Sequence, residues 1–204
     1  KISHTAKDRT KKRIWVQAVS VGEVLAIEPL IRQLHASADV EIILTTTTST
    51  GYKEAKKRYS DISSGIGLFP MDFWLCSTLA WSRIQPDVVI LAESELWPEH
   101  LHQASKKSVP VFLINARLSD RSYARLKRFH FIARYFIETI ETIYCATQID
   151  YDRFSDLGAI PEGRIGNIKL DVDFGPALSL EDTGAQLQTM GFERNNDSTE
   201  NPFT

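Results

Sequence analysis

The stretch Pro86-Asp87-Val88-Val89-Ile90-Leu91-Ala92-Glu93-Ser94-Glu95-Leu96-Trp97-Pro98 decides the fold. Proline and aspartate mark a turn. Five apolar residues follow without a polar break, the pattern of a strand buried on both faces. Carboxylates end the run, and Trp97-Pro98 opens a helix to about Lys107, proline being tolerated at a helix's first position. A buried strand leading straight into a helix is half of a parallel βαβ unit.

The same alternation recurs outward in both directions. Ile14–Val19 reads as a strand, and Ile27, Leu30, Ile31 and Leu34 then repeat at helical spacing. Pro29 either begins that helix or kinks one that starts near Glu23. Val40–Thr45 is a strand, followed by a threonine-rich turn to Gly51 and a helix around Tyr52–Tyr59. Gly65–Phe69 is a weak strand and Phe73–Ile84 a helix. Further on come a strand at Val109–Ile114, one long basic helix over roughly Ser119–Ile140, a strand at Thr142–Ala146 and a helix at Ile149–Leu157 closed by Gly158. Alternating strands and helices imply parallel pairing and right-handed crossovers. The expected fold is therefore α/β, a Rossmann-like doubly wound parallel sheet over residues 13–175. Residues 1–12 form a polar segment. Residues 176–204 read as the start of a linker, with a helical pattern at Glu181–Met190.

Composition narrows the function. The 204 residues are 43% hydrophobic and 25% charged, with a net charge of -2, so no global field draws nucleic acid. Two cysteines, Cys76 and Cys145, make neither a disulfide framework nor a zinc cluster. The five histidines show no ligand spacing, and no metal site is expected. No apolar run is long enough to span a bilayer.

In an open α/β sheet, ligands bind beyond the carboxyl ends of the strands, and four such turns are unusual. Ser20-Val21-Gly22-Glu23 places a glycine for a tight turn and a carboxylate at a helix start, either as a general base or as a helix cap. Glu93-Ser94-Glu95 sets two carboxylates on one side of an extended chain, where at least one pKa rises unless a cation or donor offsets the charge; the other reading is a helix cap beside a core tryptophan. Asn115-Ala116-Arg117-Leu118-Ser119 offers a guanidinium for a carboxylate or phosphate, and Ser119 as an N-cap. Gly166-Asn167-Ile168-Lys169 offers an ammonium to a leaving phosphate. Carboxylates, arginine and lysine at one sheet edge suit sugar or phosphate transfer. Arg117, Arg121, Arg125 and Arg128 recur at three- and four-residue spacing, a shared helix face that is either solvated or turned to an anionic membrane surface.

With Ala18–Glu23, Glu93–Pro98, Asn115–Ser119 and Gly166–Lys169 in this order, the chain resembles the 3-deoxy-D-manno-octulosonic acid (Kdo) transferase family from Arg13 to Asp173. The Thr50-Gly51, Pro70-Met71-Asp72 and Leu157-Gly158 steps also fit. The resemblance implies the N-terminal half of a GT-B glycosyltransferase that is inverting and needs neither metal nor cofactor. In such an enzyme this half receives a lipid A precursor. A C-terminal domain binds the donor, CMP-Kdo, and both work at the cytoplasmic face of the bacterial inner membrane. By position Glu23 matches the catalytic base, and Glu93 and Lys169 match residues that stabilise the transition state. Ser20, Gly22, Glu95, Asn115 and Arg117 are the expected substrate-binding residues. The chain is expected to be an acceptor-side piece, without the family's hydrophobic N-terminal anchor or its donor domain. Three positions depart from the family pattern: Glu99 stands for an asparagine, Gln17 for a common histidine and Ala146 for a glutamine. Two other readings stay open, a GT-B enzyme for another sugar and a non-catalytic binding module.

Overall fold

A computed structural model describes residues 6–36, 39–94 and 96–164, with the backbone alone for Ile132. The described residues belong to one unit, Lys1–Val172. The linker, its helical pattern, Glu95 and Gly166–Lys169 lie outside them.

The elements run β1 (Lys12–Gln17), α1 (Val21–Ala26), α2 (Glu28–Ala36), β2 (Val40–Thr46), α3 (Ser49–Tyr59), β3 (Gly65–Leu68), α4 (Trp74–Ile84) and β4 (Val88–Ala92). They continue with α5 (Pro98–Lys106), β5 (Val111–Ala116), α6 (Asp120–Arg128), α7 (His130–Ile137), β6 (Thr142–Cys145), α8 (Gln148–Asp156) and the two-residue β7 (Gly163–Arg164). The strands form one sheet in the order β3-β2-β1-β4-β5-β6-β7, and every pairing in it is parallel. This is the doubly wound, Rossmann-like fold expected. The order reverses between β1 and β4, which places the ligand crevice at their carboxyl ends.

Successive strand residues point to opposite faces, so the chain builds two cores. Ile14, Val16, Ile42, Leu44 and Ile90 pack under Val24, Ile27, Ile31, Ala55 and Tyr59 from α1 to α3. Trp15, Ile43, Val89, Leu91 and Leu113 pack under Trp81 and Ile84 of α4, Leu101 of α5, Ile137 of α7 and Phe154 of α8.

Two expected helices differ. The first is two helices joined at Ile27, with Pro29 in the first turn of α2, where its missing N–H breaks no bond. The long basic helix is also two, parted at Phe129, whose ψ of 42° leaves the helical range. The break has a packing cause. No residue of α6 is buried, whereas Ala133 and Ile137 of α7 are, so the chain must turn for those two to reach the sheet. Arg117 precedes Ser119, the N-cap of α6, and so does not share the helix face of Arg121, Arg125 and Arg128.

At the opposite edge of the sheet Arg13 is 1% exposed. Its Nε and Nη2 each lie 2.8 Å from Glu41 Oε2, and its Nη1 donates to Ile84 O at 2.9 Å. Removing one partner of such a pair strands the other charge away from water. Arg13→Met is therefore expected to lower unfolding free energy by about 3–5 kcal/mol, and Arg13→Met with Glu41→Leu to recover most of the loss. Urea melts of wild type, single and double variants measure this; a double variant no better than the single contradicts the account.

Candidate active site

Ser20, extended at φ -115° and ψ 168°, is the N-cap of α1. Its Oγ accepts from Glu23 N at 3.4 Å and donates to Glu23 Oε1 at 2.9 Å. Glu23 Oε2 accepts from Val19 N at 2.8 Å. The carboxylate thus closes a relative of the capping box, reaching the N–H one residue before the cap, and is 6% exposed. The cap and the proposed base are one group: the fold fixes its orientation through both oxygens. Gly22 lies within the first turn of α1 and not in the tight turn expected of it; the turn is Ala18–Ser20, because Ser20 begins the helix.

The threonine-rich turn clasps this loop. Thr48 caps α3 through Gly51 N, and its Oγ1 donates to Val19 O at 2.9 Å. A Cβ on Gly51 would meet Thr48 Oγ1 at 2.8 Å and Val19 O at 3.1 Å, so only glycine fits there without displacing the loop that carries Glu23.

On the neighbouring strand Glu93 has φ 61°, a left-handed conformation that costs a residue with a Cβ roughly 1–2 kcal/mol. Its N–H donates to Ile114 O at 2.9 Å, and its Oε1 accepts from Asn115 Nδ2 at 3.4 Å. Asn115 is itself left-handed at φ 52° and fully buried, with no partner for Oδ1 among the described residues. The β5–β6 register shifts between Leu113 and Ala116. Ser94 Oγ donates to Arg117 O at 2.8 Å. Arg117 is partly buried, and among the described residues its Nε has no hydrogen-bond partner and it forms no ion pair. Strained backbone and unmet polar atoms gathered at adjacent strand ends are where ligand sites concentrate. Ser20, Glu23, Glu93, Asn115 and Arg117 therefore all lie on the carboxyl edge of β1, β4 and β5, as expected. Glu95 and Lys169 fall outside the described residues.

Other contributors were not expected as site residues, although Gln17, Asp72 and Glu99 stand at positions compared with the family pattern. Trp15 Nε1 donates to Thr45 Oγ1 at 2.8 Å, which donates to Gln17 Oε1 at 2.7 Å; Gln17 Nε2, fully buried, has no partner among the described residues. The signal was a glutamine inside an apolar run. Asp72 Oδ1 accepts from Glu99 N at 3.0 Å and His100 N at 3.1 Å, capping α5 from a loop 28 residues earlier. Burial, reinforced by the charge of Glu99, pushes the Asp72 carboxyl above its ordinary value against those two donors. Beside it, Phe69 packs against Trp97 and His100 with ring centroids 5.4 and 4.5 Å apart. Among the described residues no three His, Cys, Asp or Glu side chains gather as a metal site.

A doubly wound domain with carboxylates and an arginine at its switch point is of the α/β class that binds ligands at its strand ends. The chain belongs to the Kdo transferase family: the family model described as 3-deoxy-D-manno-octulosonic-acid transferase (kdotransferase) matches residues 1–172. It is 34% identical over 169 residues to the 3-deoxy-D-manno-octulosonic acid transferase of Haemophilus influenzae, covering 81% of this chain and 39% of that protein. It is 32% identical over 176 residues to the bifunctional glycosyltransferase/methyltransferase of Fusobacterium nucleatum, covering 85% and 28%. The chain thus spans well under half of the curated relatives it matches. Among solved structures, the UDP-GlcNAc 2-epimerase of Neisseria meningitidis shares the fold at TM-score 0.59 and 13% identity, over 90% of this chain and 55% of that one.

His100 yields a pH prediction. The Trp81 indole N–H donates to His100 Nδ1 at 3.1 Å, so Nδ1 accepts and Nε2, 3.3 Å from Pro70 O, carries the proton. Burial pushes the imidazole down to about 4, against about 6.5 in an unfolded chain. Between these values the unfolded chain binds the proton and the native one does not. The contribution is complete above about pH 6.5 and disappears as pH falls to about 4, on the order of 3 kcal/mol in all. Urea melts across this range should show a shallower loss of stability in His100→Gln than in wild type; parallel curves contradict it.

Proposed function

We propose that this chain is the acceptor-side half of an enzyme that transfers Kdo from CMP-Kdo to a lipid A precursor in lipopolysaccharide synthesis. The observation that carries the reading is Glu23, a carboxylate held by Val19 N–H and Ser20 Oγ–H at the point where strand order reverses. In this reading a hydroxyl of the lipid A glucosamine gives its proton to Glu23. Its oxygen bonds to the anomeric carbon of Kdo, the bond from that carbon to the CMP phosphate oxygen breaks, and the electron pair leaves with CMP. A carboxylate accepts at about four positions, so anchoring one site on each oxygen is compatible with proton uptake. Arg117 is suited to an anionic group of either substrate. The reaction is inverting, without metal or cofactor, and Glu93 and Lys169 stabilise its transition state.

An amphipathic acceptor is also supported by the surface. Phe73, Trp74, Leu75 and Leu79 are about half exposed, as are Leu68 and, more so, Met71. They begin with Leu68, the last residue of β3, and so start at the same edge of the sheet as Glu23. Exposed apolar clusters of this kind mark binding surfaces, here for acyl chains.

Glu23→Gln in the complete enzyme is expected to lower turnover by about 10²–10⁴, measured as Kdo-lipid product from CMP-Kdo and lipid IVA. The amide still accepts one of the two bonds and Ser20 can reverse its hydroxyl, so the thermal melt should hardly move. Near-normal turnover by the folded variant removes Glu23 as base. Absence of lipid IVA binding by the wild-type chain, with binding of another sugar acceptor, favours a different GT-B transferase.

A further inference from the structure

We propose that Asp72 is a positioning residue: its carboxylate holds the loop between β4 and α5 in the conformation that presents Glu93 to the crevice. The inference rests on the transition-state role given to Glu93 above.

Helix α5 cannot begin unaided. Its N-cap, Trp97, makes no side-chain cap bond, because an indole donates and cannot accept. Pro98 follows without an N–H, and Leu101 N donates to Trp97 O at 2.9 Å. The amides of Glu99 and His100 are the two donors that this first turn leaves over. Asp72 Oδ1 meets both, at 3.0 and 3.1 Å. Its neighbours tighten the hold. The Phe69 ring lies against Trp97 and His100, and His100 Nε2 donates to Pro70 O at 3.3 Å. Phe69 N in turn donates to Thr46 O at 2.7 Å. The segment Phe69–Asp72 thus ties the carboxyl end of β2 to the start of α5.

The need for such a tie lies at the other end of the loop. Glu93 is left-handed at φ 61°, and a strained residue persists only where the chain around it is fixed. β4 fixes one side: Ala92 pairs with Ile114, and Glu93 N donates to Ile114 O at 2.9 Å. On the other side α5 is the first regular element that the chain reaches. If its first turn frays, residue 93 relaxes to an ordinary backbone and its carboxylate turns away from the crevice. Burial raises the Asp72 carboxyl above its ordinary value. Acceptance of two N–H bonds, more than negative charge, is therefore the property that this position supplies.

The test uses the complete enzyme with CMP-Kdo and lipid IVA. Asp72→Ala is expected to lower kcat by about 10–10²-fold, the cost of a small misplacement near the reacting groups, with acceptor KM nearly unchanged. Asp72→Asn keeps an oxygen for both amides, caps as well as aspartate does, and should restore most of the rate. In a Glu93→Gln background Asp72→Ala should cost little more, because the group it positions is already gone. Amide exchange reads the same event without turnover. In Asp72→Ala the amides of Glu99, His100 and the preceding loop should exchange faster, while those of β4 and β5 stay protected. A thermal melt verifies that Asp72→Ala is folded at the assay temperature; if it is not, Asp72→Ser, whose shorter side chain weakens the cap, should show a milder form of the same pattern. Losses that multiply in the double variant overturn the proposal, as does unchanged exchange at Glu99 and His100, or Asp72→Asn no better than Asp72→Ala. Near-normal turnover of Glu93→Gln alone overturns it at its base by removing Glu93 from the reaction. That failure of the reading above is seen before any change at Asp72 is made.

Discussion

Everything at the site depends on the pairing of β1 with β4, Ile14 with Val88 through Gln17 with Leu91. These strands are some seventy residues apart in sequence and are neighbours only because the strand order reverses between them. The reversal leaves the chain on either side diverging, α1 to α3 to one face and α4 onward to the other. The gap between them is where Ser20–Glu23 and Glu93–Ser94 emerge side by side. Neither segment could form the crevice alone, and no local preference holds them together; the ladder does.

What the sequence discloses about the fold follows the range of the forces involved. β4 is legible to the residue, because Val88–Ala92 is apolar throughout and bounded by Asp87 and Glu93. β5 begins two residues later than the apolar run at Val109, since Pro110 has no N–H to give a ladder, and continues through the buried Asn115 to Ala116. The division at Phe129 is not legible: neither glycine nor proline marks it, and its cause is the pull of Ala133 and Ile137 towards a sheet that the local sequence does not contain. Two-residue β7 is too short to leave a pattern.

The position of Ser20, Glu23, Glu93, Asn115 and Arg117 at strand ends was legible, their contacts less so. Glu23 could be read as base or as cap, and the geometry makes it a cap whose burial and anchoring leave the catalytic role to experiment. Gly22 lies in the first turn of α1, and it is at Gly51 that the neighbouring Thr48 and Val19 O leave no space for a Cβ. Asp72 supports α5 across 28 residues of intervening chain, and nothing in its immediate sequence announces that partner. The same holds for the Trp15–Thr45–Gln17 chain, which joins two strands.

The two left-handed residues at the crevice differ in a telling way. Asparagine tolerates that backbone well, and Asn115 is of the type such a position selects. Glutamate does not, yet Glu93 occupies φ 61°. Drift under selection for stability alone would carry position 93 to glycine or asparagine. A lineage that no longer needed this carboxylate would lose it early and become more stable by doing so, so the identity of residue 93 is a marker of whether the crevice is still in use.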